Sequence, residues 1–460
     1  MIEKFEYKGI WWLPNKPNKQ VSGTLTFTPE KGAILELIGS FKDLKDMDKM
    51  LSPDIILGVS SSGKDITLYR CFETQSNLNL PSLSTSSFYA NIVFVGAHFQ
   101  KNENIRFRKL SIYYSNLDEW VNITGFKIGY DEKEVTIKYN LPEPIQARID
   151  DNFKLFIDFR VKGPTHSIVQ KEATIKQSTY IRIEPLEEKS FDEYMNVLYH
   201  IQNFLTLGIT KPVYPLVIEG ITAANKKILN GKTYYPSVKV FYKVSDISKT
   251  CELLLPFYML FTFSYISDKF EFFLRNWFKK VDLLKPVYDL YFGTLYNPRM
   301  YLEHRFLSLI QAIESYHQRT YGGKYLSDED YKEVYNALVN AIPSDVRNDL
   351  RDRLKRYLKY GNEFSLRKRL EEIFDKYREI LNVFIEKESV FIDKVVNTRH
   401  YLTHYDEKLK EQAANGEELY NLTQKLKILL EICLLTELGF SLDEIKRLFS
   451  ENRRYKMASI

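Results

Sequence analysis

The run Arg399-His400-Tyr401-Leu402-Thr403-His404 places a permanent cation and two imidazoles within one short stretch of chain. Those groups suit metal-free cleavage of RNA, in which a base takes the 2′-hydroxyl proton, a cation steadies the phosphorane and an acid protonates the departing 5′-oxygen. An imidazole, with an unperturbed pKa of about 6.5, serves as base or acid near neutrality, and such transfers contribute roughly 10²- to 10⁴-fold. A guanidinium stays charged and offers a planar fork to phosphate oxygens. Spacing alone is weak support, because a chain of this size yields about one Arg-x4-6-His match by chance. This one contains three. Arg160 to His166 crosses Gly163-Pro164, which cannot hold a helical geometry. Arg299 to His304 opens a helix with apolar Met300 after its arginine, which favours a capping or surface role. Only Arg399 to His404 lies deep in a helical region with a polar residue, His400, directly after the arginine.

In a continuous helix Arg399 and His404 lie about 140° apart, so they straddle a face. A cleft completed by another helix or a second subunit is therefore expected. One imidazole cannot be base and acid in the same step, so the second role falls to His400 or to His404 of the partner subunit. The plainer alternative is that Arg399 pairs with a carboxylate at the core edge. Glu314, at the rim of an apolar stripe, either orients Arg399 or a histidine or makes a structural ion pair. His317 lies on that stripe and reads as a hydrogen-bonded core histidine.

Other patterns are weighed the same way. His400 and His404 have the spacing of a helical metal pair and Asp406 follows, but no nearby His or Cys completes a zinc site. No metal and no cofactor is expected. Arg347, Arg351, Lys355 and Lys359 recur every fourth residue opposite Val346, Leu350, Leu354 and Leu358. Such a stripe can track RNA phosphates, although interleaved Asp349 and Asp352 also fit a solvated face. Gly58 to Asp65 copies the spacing of a phosphate-binding loop. Asp65 stands where a Ser or Thr should hold magnesium, however, and strand-like Ile66 to Tyr69 follow where a helix N-terminus is needed. A hairpin turn is the better reading.

The elements that must position Arg399 and the histidines follow from periodicity. Gly23–Phe27, Ala33–Ile38, Ile66–Tyr69, Ile92–Val95, Val135–Tyr139, Leu155–Phe159 and Tyr180–Ile183 alternate as strands do. Helical spacing begins at Phe191, with Tyr194, Val197, Leu198, Ile201, Phe204 and Leu205. After Pro298 it persists to the end: Leu302 to His317 form one stripe, Phe364 to Phe384 a second, and Leu419 to Leu438 a nearly all-round apolar helix. That helix stops at Gly439, ahead of a Ser441–Glu444 capping box. The expected fold is α+β and multidomain, with a mostly β domain over 1–185, a mixed region over 186–297 and an all-α bundle over 298–460.

With 460 residues, the chain suggests roughly three units at about 150 residues each. A net charge of +5 and a pI near 8.6 are too mild for a surface basic throughout, so any phosphate-binding surface must be local. Abundant Tyr and Phe permit base stacking without demanding it. Cys71, Cys251 and Cys433 are isolated from one another, which fits a reducing compartment. Met1 to Lys8 lacks the apolar core of a secretory signal. Leu253 to Ser267, interrupted by Pro256, is short of the roughly 20 residues a membrane span needs and reads as buried core.

Arg399, polar His400 and His404 resemble the Arg-polar-x3-His signature of HEPN ribonucleases. Tyr301 to Tyr321, together with Gly9-Ile10-Trp11-Trp12 and Gly23-Thr24-Leu25, resembles the ApeA family over essentially the whole chain. The resemblance implies a cytoplasmic endoribonuclease of anti-phage defence, a homodimer with both motifs at the HEPN interface, and cleavage to a 2′,3′-cyclic phosphate and a 5′-hydroxyl. It also implies abortive infection directed at RNA, with tRNA among the candidates, and a phage-derived trigger. No membrane partner is expected. Three alternatives remain open: a catalytically silent HEPN module that binds RNA or protein, a metal-dependent hydrolase, and a toxin paired with a separate nucleotidyltransferase.

Overall fold

The computed structural model describes residues 3–42, 49–77, 84–244 and 253–458, so Met1, Ile2 and Cys251 lie outside the described residues. The protein is α+β and multidomain, and it divides into two compact units, Met1–Phe278 and Lys279–Ile460.

In the first unit, alternation builds the sheet. Val21, Gly23, Leu25 and Phe27 are buried while the residues between them are not, as a strand with one face on a core requires. Six strands, β1 (Phe5–Trp12), β2 (Val21–Thr28), β3 (Gly32–Ile38), β4 (Ile55–Ser60), β5 (Asp65–Asn77) and β6 (Thr85–Val95), run in the order β6-β3-β2-β1-β4-β5. The β5–β6 pairing closes them into a barrel, which leaves no free edge. Trp11 is fully buried and donates its indole N–H to the Gly23 carbonyl at 3.2 Å. Gly58 makes room for that ring, since a Cβ there would lie 2.2 Å from it. The expected hairpin at Gly58 to Asp65 is present: Val59 faces Asp65 across the β4–β5 ladder, Gly63 turns with φ +75°, and no helix follows.

The sheet continues past the barrel because β6 outruns β3. Residues Thr85 to Ala90 pair with β3, whereas Ile92 to Val95 pair with Tyr242 to Lys239. After the short β7 (Arg106–Phe107) come β8 (Lys109–Tyr114), a helical turn α1 (Leu117–Val121) and a hairpin of β9 (Phe126–Tyr130) and β10 (Val135–Tyr139). Next are β11 (Ile145–Arg148), β12 (Phe153–Ser167), β13 (Glu172–Pro185), and β14 (Lys189–Ser190), which pairs with β7. Helix α2 (Phe191–Ile209), β15 (Pro215–Ile221), a hairpin of β16 (Lys227–Leu229) and β17 (Lys232–Tyr234), and β18 (Val238–Tyr242) complete the set. The order β6-β18-β15-β8-β13-β12-β11 extends the barrel sheet to twelve antiparallel strands.

Two sequence expectations differ from this arrangement. Residues 186–297 do not form a region of their own, because β15 and β18 are strands of the first unit's sheet. Helix α2 docks on that unit too: Tyr194 Oη donates to the Phe107 carbonyl at 3.3 Å and the Phe191 ring meets Phe94 edge-on at 5.1 Å. A switch from period two to period 3.6 marks a new element, not the end of a core. Leu253 to Ser267 is only partly core: Met259 to Phe261, Phe263 and Ile266 are buried, but Leu253, Leu255 and Phe257 are exposed. Among the described residues no helix is long and apolar enough to cross a membrane.

Helix α3 (Phe263–Ile266) is short, and the division between the units falls within α4 (Phe270–Tyr296). The second unit holds α5 (Leu302–Tyr321), α6 (Asp328–Asn340), α7 (Asn348–Lys359), α8 (Leu366–Leu381), α9 (Glu388–His404), α10 (Gly416–Leu438), α11 (Leu442–Glu451) and α12 (Arg453–Ala458). Phe306, Leu309, Ile310, Ile313, Tyr316 and His317 give α5 its buried stripe, and α5 packs against α8, α9 and α10. Every residue from Leu426 to Leu435 is buried, so α10 is the central helix. Its two charged members are reconciled locally: Glu431 accepts from Tyr291 Oη at 2.7 Å and Tyr455 Oη at 2.8 Å, with Lys427 Nζ at 3.5 Å. Burial pushes the Lys427 ammonium down to about 8, against the field of Glu431.

Candidate functional site

Helix α9 presents Phe391, Ile392, Val395 and Thr398 to the core, a stripe that fixes its roll about its own axis. Its last turns are held from the other side as well. Thr398 Oγ1 accepts the Ala414 N–H at 2.9 Å, and Asn397 Nδ2 donates to Gln412 Oε1 at 3.1 Å, so the segment after the helix folds back along it. Tyr405 ends the helix in the left-handed conformation, φ 51°, with its N–H on the Tyr401 carbonyl. Asp406 then caps a short 3₁₀ turn over Glu407–Leu409.

That scaffold delivers the three sequence candidates to one helix end. Arg399 is half-buried and lines an open cavity of about 320 Å³ between α5 and α9, together with Leu307, Ile310, Gln311, Glu314 and Thr403. His400 and His404 are exposed on the adjoining face, their ring centroids 6.4 Å apart. Thr403 Oγ1 donates back to the Arg399 carbonyl at 2.7 Å. Glu314 and Arg399 thus share a cavity, but among the described residues no ion pair within 4 Å joins them. The guanidinium fork is left open to an incoming anion. One cation thus lines a recess, and two exposed imidazoles lie on the same helix outside the lining of that recess. Among the described residues no three or more His, Cys, Asp or Glu side chains gather as a metal cage would need.

His317 is a satisfied core histidine, as expected, and its partners fix its tautomer. Arg369 Nη1 lies 3.3 Å from Nδ1 and Glu372 Oε2 lies 2.9 Å from Nε2. A guanidinium can only donate, so Nδ1 accepts and the ring proton sits on Nε2, donated to Glu372. Burial, reinforced by the charge of Arg369, holds the imidazole below its ordinary pKa, with Glu372 opposing. Arg369 is itself buried, donating also to Gln318 Oε1 at 2.6 Å and to the Phe364 carbonyl at 3.1 Å. Sequence reasoning missed Arg369. The available clue was a charged residue beside Leu370 on the apolar stripe of α8, where an arginine needs acceptors. Gly323, φ +72°, leaves it room, since a Cβ there would lie 2.6 Å from Nη1.

The basic stripe on α7 is on the surface, but half of it is engaged. Arg347 pairs with Asp349, and Arg351 Nη2 donates to the Pro343 carbonyl at 2.8 Å. Lys355 is half-buried and Lys359 exposed.

Two family models match the chain: one described as ApeA N-terminal domain 1, over residues 6–277, and one described as Apea-like HEPN, over residues 307–444. The second match contains Arg399, His400 and His404. No curated protein and no solved structure matches.

Proposed function

Because the chain belongs to the ApeA family, with an ApeA-like HEPN domain, we propose that it is a metal-independent endoribonuclease of anti-phage defence. The observation that carries this reading is the recessed, unpaired Arg399 fork in the cavity between α5 and α9, on a helix whose His400 and His404 are exposed. A phosphodiester seated there has its non-bridging oxygens on Arg399. One histidine takes the proton of the 2′-hydroxyl as that oxygen bonds to phosphorus. The bond from phosphorus to the 5′-oxygen breaks, and a second imidazolium supplies the proton to the leaving oxygen. The products are a 2′,3′-cyclic phosphate and a 5′-hydroxyl, and atoms and charge balance without a co-reactant. His404 fills one role, and the other falls to His400 or to the partner subunit's His404 in a homodimer formed through the HEPN domains. Glu314, which lines the same cavity, orients Arg399 or a histidine.

In this reading the helical unit cuts RNA in the cytoplasm, with tRNA a candidate target. The β-rich unit restrains it or answers a phage-derived trigger, and the outcome is abortive infection. The test is cleavage of RNA by the purified chain, with mapping of the product ends. Cyclic phosphate and 5′-hydroxyl ends made in the presence of EDTA, and lost in His404→Ala, support the proposal. Intact RNA favours a silent RNA- or protein-binding module, and activity abolished by EDTA favours a metal-dependent hydrolase.

A further inference from the structure

The hairpin of α6 and α7 differs from the rest of the second unit in that neither helix contains a buried residue. It is fastened at its neck. The backbones of Lys324 and Glu363 form an isolated antiparallel β-bridge, Asn362 Nδ2 donates to the Leu326 carbonyl at 2.9 Å, and Asn362 Oδ1 accepts from the Leu326 N–H at 2.9 Å. The two helices are joined by Tyr331 Oη on the Leu358 carbonyl, beside Gly361, where a Cβ would lie 2.5 Å from that hydroxyl. A segment so closed on itself yet so exposed is shaped to present a surface.

The positive charge lies on α7 and not on the hairpin as a whole, because residues 328–346 carry five acidic and one basic side chain and leave 328–360 neutral overall. Residues 347–360 carry six basic and two acidic side chains, a net +4, against +5 for all 460 residues. Two Arg-x3-Tyr pairs, Arg353 with Tyr357 and Arg356 with Tyr360, occupy one face about 100° wide. This is not the face of Arg347 and Arg351, which have partners within the hairpin. Both tyrosines are 62% exposed. Arg353 Nη2 donates to Tyr357 Oη at 3.1 Å and its guanidinium carbon lies 5.4 Å from the ring centroid. The cation and the ring are thus already side by side, as a stacking site for an anionic, aromatic polymer requires.

We propose that this face of α7 is a platform for single-stranded RNA, on which Tyr357 and Tyr360 stack nucleobases while Arg353 and Arg356 hold phosphates. The proposal rests on the ribonuclease reading and deepens it: the substrate class is unpaired RNA, gripped with little regard to sequence because every base has a π-face.

The test uses the full chain carrying Arg399→Ala and His404→Ala, so that RNA stays intact, with a fluorescent single-stranded oligoribonucleotide, its duplex form and vesicles of anionic phospholipid as probes. The single strand binds best. Tyr357→Ala and Tyr360→Ala each weaken binding about tenfold, and Tyr357→Phe does not. Arg353→Ala and Arg356→Ala each shallow the slope of log K against log salt by about 0.7. No binding, binding unchanged in all four alanine variants, or a face that these variants show to serve vesicles instead of RNA overturns the platform. Cleavage by the parent chain is followed in parallel. If it cuts RNA while the variants bind as the parent does, the platform alone is wrong. If it does not cut but binding depends on these residues, the platform stands and the cleavage reading falls.

Discussion

Replacing Arg399 by alanine separates a transition-state cation from a structural one, and the size of the effect follows from where the side chain sits. Arg399 is half-buried in the cavity between α5 and α9 and has no ion pair within 4 Å among the described residues. A guanidinium about 4 Å from a unit charge contributes about 1 kcal/mol in bulk water and about 4 kcal/mol at the effective dielectric of a partly enclosed site. These correspond to about 5-fold and about 10³-fold in rate, since each 1.36 kcal/mol is tenfold. With RNA filling the cavity, the expected loss is about 10²- to 10³-fold, the range seen when a single preorganised donor is removed. Stability should change by less than about 1 kcal/mol, because no ion pair is broken and the alanine remains a good helix former. Single-turnover cleavage of a labelled RNA, with urea unfolding of the same preparations, measures both quantities. A loss of fivefold or less, beside a His404→Ala protein that is inactive, would show that Arg399 does not face the developing charge. A large loss accompanied by unfolding would make it structural.

Four further outcomes are expected. Arg399→Lys keeps the charge but not the fork, so it should recover part of the lost rate, between the parent and Arg399→Ala, in the same cleavage assay. His317 is held neutral, with a folded pKa below its unfolded one, so the unfolded chain takes up its proton first. Its contribution to stability is complete above about pH 6.5 and is lost as pH falls through the folded value; urea unfolding at descending pH should show this decline, and His317→Gln should flatten it. Glu431→Leu removes the counter-ion of Lys427 and the carboxylate that accepts from the Tyr291 and Tyr455 hydroxyls, so it should destabilise the helical unit by about 3–5 kcal/mol in chemical denaturation. Gly58→Ala drives a methyl into the Trp11 ring and should cost about 1–3 kcal/mol, read as a shift in Tm and in tryptophan fluorescence.

Several strands, the bundle helices and the Ser441–Glu444 capping box were legible in the sequence because each expresses a local rule. Alternation in Gly23 to Phe27 and the three- and four-residue recurrence in Phe306 to His317 are properties of adjacent residues, and a single core rewards both. The barrel closure was not legible. It depends on β6 pairing with β3 as well as with its chain neighbour β5, and on β1 pairing with β4, registers that join residues such as Leu35 with Phe88 and Gly9 with Ser60, far apart in the chain. The run from Leu253 to Ser267 illustrates a related limit, since its apolar composition does not say that Leu253, Leu255 and Phe257 face outward.

At the candidate site the same division holds. The spacing of Arg399 and His404 gave their angle on the helix, and the structure adds what spacing cannot: a cavity supplied by α5, a helix some eighty residues earlier in the chain. Arg369 has the opposite history. Its partners His317 and Gln318 come from α5 and its room from Gly323, so the sequence around it shows a charge on an apolar stripe but not that the Arg369–His317 contact is a scaffold. Burial and reactivity run against each other here. His317, with both ring nitrogens occupied, has no proton position left to offer a substrate, whereas His400 and His404 are exposed at the end of the helix that carries Arg399. Proton transfer needs a ring that can lose one partner and gain another, and the two exposed histidines at the end of α9 meet that condition where the enclosed one does not.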